Sequence, residues 1–489
     1  MKKPTIVQPT VHELEGTVLA DPTKKFFVTM LTRDIALIDA IMDLIDNCID
    51  GVHRQRKKLK LKGEDFIYKG YCADITLNEN EFSIKDNCGG IPLSVAMKYA
   101  FRMGRSEEYQ EDDNLETLGM YGIGMKRAIF KIGLRSEVTT WHDDTIYKVT
   151  IPENWATIQD WLFNYKILRK TDVKGLFKDK GTLVQISKLH KTISRQFKDK
   201  SGFVKDLQIA LNNHYGYIIQ QGFTIKLNGV KIDPIELNII TTDPGAKSKK
   251  SIKPYVYTAK IEDVDIEIII GFYRPPASEE EILEELDGSY AASLSENAGI
   301  TVLCNDRVVL YCDKTFLTGW GDPPVPKYHT QFISIAGVVH FRTNTPINLP
   351  VTTTKRGLDT SSPVYAAAKN KIKDGLRYFT TFTNNWKTQT DERAKLFASP
   401  KKINALSPGQ STKSSFIKLT KGKIGENSKV QIPDLPRPAT IQNSRLLAIS
   451  FSRERESIDK IKNYFLQGKP KSASEVGGWC FDKILSQVE

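Results

Sequence analysis

The sequence predicts an α/β domain over residues 26–215, an α+β domain over 216–390, a basic linker over 391–440 and a small helical module over 441–489. Three observations carry this division. Strand-like and helix-like patterns alternate in the first block. In the second, strands come first and one long helix comes last. From Ser399 to Thr440 the text turns to Lys, Ser, Pro and Gly, with only Glu426 and Asp434 as acids, the composition of a flexible connector.

Taken in order, residues 1–25 lack periodicity and read as an N-terminal arm. A helix is expected over 34–58, where Ile38, Ile41, Ile45, Cys48 and Val52 form one stripe and Asp39, Asp43, Asp46, Asn47 and Asp50 lie opposite. Strands are expected at 73–77, 81–85, 136–141, 146–151 and 181–187, and a helix over Met125–Ile132. The polar stretch Gly104–Thr117 reads equally as a lid or as a solvated loop. The second block opens with a hairpin, Phe223–Asp233, turning at Asn228-Gly229. Strands follow at 254–262, 264–273, 299–304, 307–311 and 332–341, then a helix from Pro363 to about Trp386. Two more helices are expected at 453–467 and 473–487.

The bulk properties narrow the class. A chain of 489 residues, 40% hydrophobic and 26% charged, supports two or three cores. No apolar run is long enough for a bilayer and Met1-Lys2-Lys3 starts no signal peptide, so a cytoplasmic protein without a membrane role is expected. The six cysteines show no C-x-x-C or zinc-type spacing and read as free thiols of a reducing compartment. A net charge of +12 permits a polyanionic partner.

The chemistry concentrates in segments that occur in a fixed order. Asp43 and Asn47 stand one helical turn apart, a carboxylate able to polarise water and an amide oxygen able to bind a hard cation such as Mg²⁺. Read alone, this is also an amphipathic surface helix. Asp86 ends a strand before Gly89-Gly90, where a carboxylate can accept a hydrogen bond from an exocyclic amine while Gly90 lets the backbone approach a ring; an ordinary Asp-Asn turn has the same text. In Gly119–Lys126, the glycines Gly119, Gly122 and Gly124 can aim N–H groups at a phosphate where a helix begins, and Lys126 adds charge. The same glycines also suit tight helix packing. Thr182, in the strand-like run Gly181–Ile186, would line the base of a bound nucleotide; read alone it is an ordinary β-favouring threonine. No Gly-x-x-x-x-Gly-Lys-Ser/Thr occurs here, so the pattern is not a P-loop.

Asp43–Asp50, Asp86–Ile91, Gly119–Lys126 and Gly181-Thr182 together resemble the signatures of the GHKL ATPases, the superfamily of gyrase B subunits, ninety-kilodalton heat-shock chaperones, histidine kinases and MutL. The resemblance implies a two-layer α/β sandwich of the Bergerat type, with helices over one face of a mixed sheet and ATP between them. Gly299–Arg307 and Leu349–Asp359 resemble the ribosomal-protein-like α+β transducer domain that follows this fold, and MORC-like prokaryotic ATPases are the nearest resemblance. Carried over, Asp43 takes the general-base position, Asn47 that of the Mg²⁺ ligand, Asp86 the adenine contact and Thr182 its support. Gly122, Gly124 and Lys126 match the phosphate cradle and Lys355 the lysine that senses the γ-phosphate. Asp50, Gly90, Gly119, Tyr121, Ile123 and Met125 complete the nucleotide-binding set. Two departures stand out: aspartate at 43 where the family usually has glutamate, which implies slow turnover, and Cys88 in place of the middle glycine of Asp-x-Gly-x-Gly, which makes that turn less permissive.

The resemblance implies a Mg²⁺-requiring ATPase acting as a dimerising clamp on DNA. The alternatives are a chaperone-like or signalling ATPase whose client is another protein, one encoded nearby included, and a nucleotide-binding module with little hydrolysis. No phospho-acceptor His helix precedes the site, which argues against a histidine kinase, and no metal-ligand cluster in the tail supports MutL-type repair.

Overall fold

Helix α2 (Leu37–Lys58) organises the first domain, and it is buried on nearly every side: Asp43, Asp46 and Asp50 are as enclosed as the apolar stripe, while Asn47 alone in that stretch is exposed. The computed structural model describes residues 22–60, 67–104, 114–117, 119, 122–158, 160–198, 202–242, 251–278, 281–282, 296–387, 389–398, 400–405, 420–421, 428–438, 449, 452–465 and 472–488. Most of the expected N-terminal arm and most of the Gly104–Thr117 segment lie outside these residues. The arm's last four positions do not: α1 (Lys24–Arg33) begins among them, capped by Thr23, with the Lys24 ammonium donating to the Trp155 and Asp160 carbonyls.

The first sheet has eight strands in the order β5-β4-β3-β6-β2-β1-β7-β8. These are β1 (Cys72–Leu77), β2 (Glu81–Asp86), β3 (Gly133–His142), β4 (Thr145–Ile151), β5 (Asn164–Leu168), β6 (Gly181–Leu189), β7 (Thr224–Leu227) and β8 (Val230–Lys231). Every pairing is antiparallel except β1 with β7, so the sheet is mixed. After the short helix α3 (Leu93–Val95) and one π turn (Ala96–Ala100), α4 (Gly124–Ile132) packs beside α2; α5 (Lys191–Lys198) and α6 (Phe203–Gln220) follow β6.

A boundary at 215/216 is corrected by this topology. It cuts α6, and the hairpin β7–β8 beyond it closes the first sheet rather than opening the second domain. The reason lies in α6 itself: from His214 to Ile219 it is buried all round, because one side meets the first sheet and the other meets the second. Leu303, Val308 and Val338 of the second sheet accordingly join the same apolar core as Ile41, Ile75 and Ile186.

The second sheet runs β13-β12-β14-β11-β10-β17-β16. It contains β10 (Tyr255–Ile261), β11 (Val264–Phe272), β12 (Gly299–Cys304), β13 (Arg307–Asp313), β14 (Ile335–Arg342), β16 (Thr420–Lys421) and β17 (Lys429–Gln431), with α7 (Pro363–Asn385) over one face. A separate pair joins β9 (Asn238–Thr242) to β15 (Pro400–Asn404). Flexibility throughout the linker is therefore corrected: three of its segments are strands, Ile403 and Ala405 are buried, and the Trp386 indole N–H donates to the Pro436 carbonyl at 2.8 Å. Composition alone could not reveal this, because Lys401 and Lys402 are exposed while the short apolar positions between the charges hold the pairing. The terminal helices cover Arg455–Phe465 and Ala473–Leu485.

The domains are joined by the turn between β12 and β13. Asn305 and Asp306 adopt left-handed conformations there, φ 44° and 70°, and their side chains enter the first domain. Asn305 Nδ2 donates to the Thr117 carbonyl at 3.1 Å, and Asp306 accepts from the Tyr68 hydroxyl at 2.9 Å. Arg307, 2% exposed, forms an ion pair with Asp46, its Nε 2.7 Å from Oδ1. Removing one partner of a buried ion pair leaves the other charge unpaid by water or protein. Arg307→Ala should therefore lower stability by about 3–5 kcal/mol in urea denaturation; a loss below about 1 kcal/mol, the range of an exposed pair, would contradict the burial of this contact.

Candidate functional site

One cavity of about 200 Å³ lies between α2, α4, the end of β2 and the loop before α7. Nearly all the residues picked out in the sequence meet on its wall. From α2 come Asp43, Asn47 and Asp50; from the corner after β2, Asp86 and Gly90; from β6, Thr182; from the second domain, Lys355. Gly119, Gly122, Ile123, Gly124, Met125 and Lys126 form the side where α4 begins. Tyr121 lies outside the described residues.

At one end stands Asp86. Its Oδ1 accepts the Cys88 and Thr182 backbone N–H groups at 2.7 and 3.3 Å, which fixes the carboxylate; Oδ2 has the Cys48 thiol at 3.7 Å. Burial pushes its carboxyl up to about 6, with the two N–H groups pulling the other way. The Thr182 hydroxyl is within 3.2 Å of the Thr140 hydroxyl, which also receives the Ile91 N–H at 2.9 Å. The turn beyond Asp86 takes its left-handed conformations at Gly89 and Gly90, φ 98° and 71°. Cys88 carries no such requirement, so the missing middle glycine does not strain this turn. Gly90 is needed for a different reason from the one the sequence suggests: a Cβ there would stand 2.2 Å from the Trp141 carbonyl, so it is strand β3 that comes close.

The other end is ionic. Arg127 Nε and Nη2 both donate to Asp43 Oδ2, at 3.1 and 2.5 Å. Lys355 Nζ lies 2.8 Å from Asp46 Oδ2 and 3.5 Å from Asp43 Oδ1. Asp46 also receives Arg307 and the Tyr215 hydroxyl, the latter at 2.8 Å. Burial alone would raise the Asp46 carboxyl, but the Arg307 and Lys355 cations hold it below the usual carboxylate range. Burial likewise opposes the Lys355 charge, and Asp46, Asp43 and Asp50 more than restore it. Lys355 sits at φ 56°, a left-handed conformation uncommon for a residue with a side chain. Its turn is closed by its own N–H donating to the Thr352 carbonyl at 2.9 Å.

Two members of the expected phosphate cradle have partners within the protein. The Gly119 N–H donates to Asp50 Oδ2 at 3.1 Å. The Lys126 ammonium donates to the Ala100 carbonyl at 2.9 Å and is pushed down to about 8 by burial. Gly124 opens α4 directly against Asp43: a Cβ on it would be 3.3 Å from that side chain. Asn47 stands free of the ionic cluster with its amide exposed in the cavity wall, an oxygen donor suited to a hard cation that also takes phosphate oxygens.

Sequence reading missed Arg127, Asp46 and Arg307 as members of this cluster. A cation directly after Lys126, in the first turn of a helix where the dipole disfavours it, was a legible signal for a nearby anion. Nothing in the text paired Asp46 with a residue more than 250 positions away.

Residues 35–182 match the family described as histidine kinase-, DNA gyrase B-, and HSP90-like ATPase. The match supports the GHKL superfamily for the first domain, in agreement with its mixed α/β architecture, and with it an ATP-binding activity. A search of the curated proteins finds no match. Among the described residues no helix is long and apolar enough to cross a membrane.

The Asp86 carboxyl yields a pH test. An acid whose pKa is raised in the folded protein, here from 3.8 to about 6, contributes stability below the unfolded value and loses it as pH rises through about 6. The shift corresponds to roughly 3 kcal/mol. Between about pH 4 and about pH 7, wild type should lose that amount relative to Asp86→Asn in urea denaturation. A constant difference between the two proteins across the window would rule out a desolvated Asp86.

Proposed function

We propose that the protein is a slow, Mg²⁺-dependent ATPase that works as a dimerising clamp on DNA, in the manner of MORC-like proteins. The observation that carries the reading is the two-ended cavity, with a fixed, half-buried carboxylate at one end and a lysine delivered by the second domain at the other. Asp86 Oδ2 accepts from the exocyclic amine of adenine, a donor that guanine does not offer there. Asn47 would ligate Mg²⁺, whose bound charge neutralises the phosphate oxygens. The N–H groups where α4 begins and the Lys355 ammonium bind the phosphates, so Lys355 transfers nucleotide binding to the second domain. Asp43, freed of its cations, accepts a proton from the attacking water.

Differential affinity drives the clamp. ATP favours the closed, dimeric state only to the extent that it binds that state more tightly, and Lys355 supplies a contact that ADP lacks. The +12 charge and the Lys-rich 391–440 stretch support DNA as the client, through phosphate contacts that weaken with salt. A second reading, nucleotide binding with little hydrolysis, is favoured by the engagement of Asp43 on both oxygens.

Phosphate release separates these. Asp43→Ala and Lys355→Ala should each lower turnover by about 100-fold or more, and wild type should elute as a dimer with a non-hydrolysable ATP analogue and be retained on duplex DNA at low salt. Turnover equal in wild type and Asp43→Ala would leave the binding-module reading standing; retention insensitive to salt would exclude phosphate-backbone binding.

A further inference from the structure

On the ionic wall of the cavity, Arg127 is a cation that the nucleotide reading does not use. Arg127 lies in the first turn of α4, where the helix dipole is positive and a buried cation is unfavourable unless an anion faces it. The anion is Asp43, on whose Oδ2 both Arg127 nitrogens converge while Lys355 approaches Oδ1. Lys126 cannot serve the same place in this arrangement, since its ammonium reaches away to the Ala100 carbonyl. The cavity, about 200 Å³, is also smaller than the roughly 300–1,000 Å³ usual for a small-ligand site, and the ion pairs occupy its phosphate end.

We infer that Arg127 is a ligand of the terminal phosphate, exchanging the Asp43 carboxylate for a γ-phosphate oxygen when a nucleoside triphosphate binds. The inference rests on the ATP reading of this cavity and adds a residue to it. Two consequences follow from one movement. The guanidinium fork suits a phosphate as well as a carboxylate, so the exchange keeps Arg127 paired. It also releases Asp43 Oδ2, so the carboxylate becomes available to water only when a third phosphate is present. ADP, lacking that phosphate, leaves the Arg127–Asp43 pair closed. The chain thereby distinguishes ATP from ADP at Arg127, within its own first domain, as well as through Lys355.

Binding of ADP and of a non-hydrolysable ATP analogue, each with Mg²⁺, is measured by calorimetry on the full chain and on four variants. Arg127→Ala should weaken the ATP analogue by roughly 10- to 100-fold and leave ADP within about twofold; Arg127→Lys should recover part of the loss. Asp43→Asn, which removes the competing carboxylate, should tighten the analogue and not ADP. The double variant D43N/R127A leaves no unpaired charge from this contact and guards against a misfolded R127A; it should show a similarly reduced preference for the triphosphate, the remainder coming from Lys355. If ADP and the analogue weaken by the same factor in R127A and in the double variant, Arg127 is only a structural partner of Asp43 and the inference is overturned while the ATP reading stands. If wild type binds neither nucleotide, the ATP reading falls and takes the role of Arg127 with it.

Discussion

Asp46 is wholly buried, and its carboxylate is shared by Arg307 and Lys355 from the second domain and by Tyr215 from α6. A charge in that position is tolerable only while all its partners are in place, because the desolvation penalty is several kcal/mol for each ion and is offset only by good geometry. Apolar contact across α6 brings the two sheets together, but it does not fix which residues of the second domain face the cavity. The Asp46 cluster does. It holds the β12–β13 turn in the first domain and, through the Arg307 guanidinium donating to the Lys355 carbonyl at 3.0 Å, positions the lysine's own backbone.

This arrangement makes the two ends of the cavity chemically unlike. Around Asp86 the fixed groups are backbone N–H donors and hydroxyls, held by partners within the protein. Around Asp43 and Asp46 the charges are paired with each other, and any incoming anion has to compete for their cations. The first end is suited to selecting what enters. The second is suited to registering how much negative charge the ligand carries, since every cation there has an internal carboxylate to return to. Asn305, donating to the Thr117 carbonyl, places the segment before α4 under the same control.

Much of this was legible in the text. Expected strand positions fall on β1 to β4, β6 and β10 to β14 because those runs alternate cleanly or are continuously apolar. The edge strand β5 was missed: its Tyr165 and Ile167 are exposed, so it lacks the burial pattern that marks a strand. Helix α6 was missed because it is apolar on opposite faces, which destroys the single stripe that a helix on one core would show. The acidic face of α2, read alone, also suits a solvated surface, and its cover, Arg307 and Lys355, lies hundreds of residues downstream. Local text could mark the segments around the cavity. It could not show that Lys126 and Gly119 spend their hydrogen bonds on Ala100 and Asp50.

The pairing of β17 with β10 bears on what lies beyond it. Residues up to 438 run back along the second domain, anchored where Pro436 accepts from the Trp386 indole, and the next helix starts at Arg455. The intervening chain is short enough that the start of the first terminal helix is leashed to within roughly 70 Å of that anchor even at full extension. The pair, which exposes Tyr464 and Phe481, is therefore tied by its first helix to the neighbourhood of the second sheet, where its apolar side chains are within reach of whatever that sheet meets.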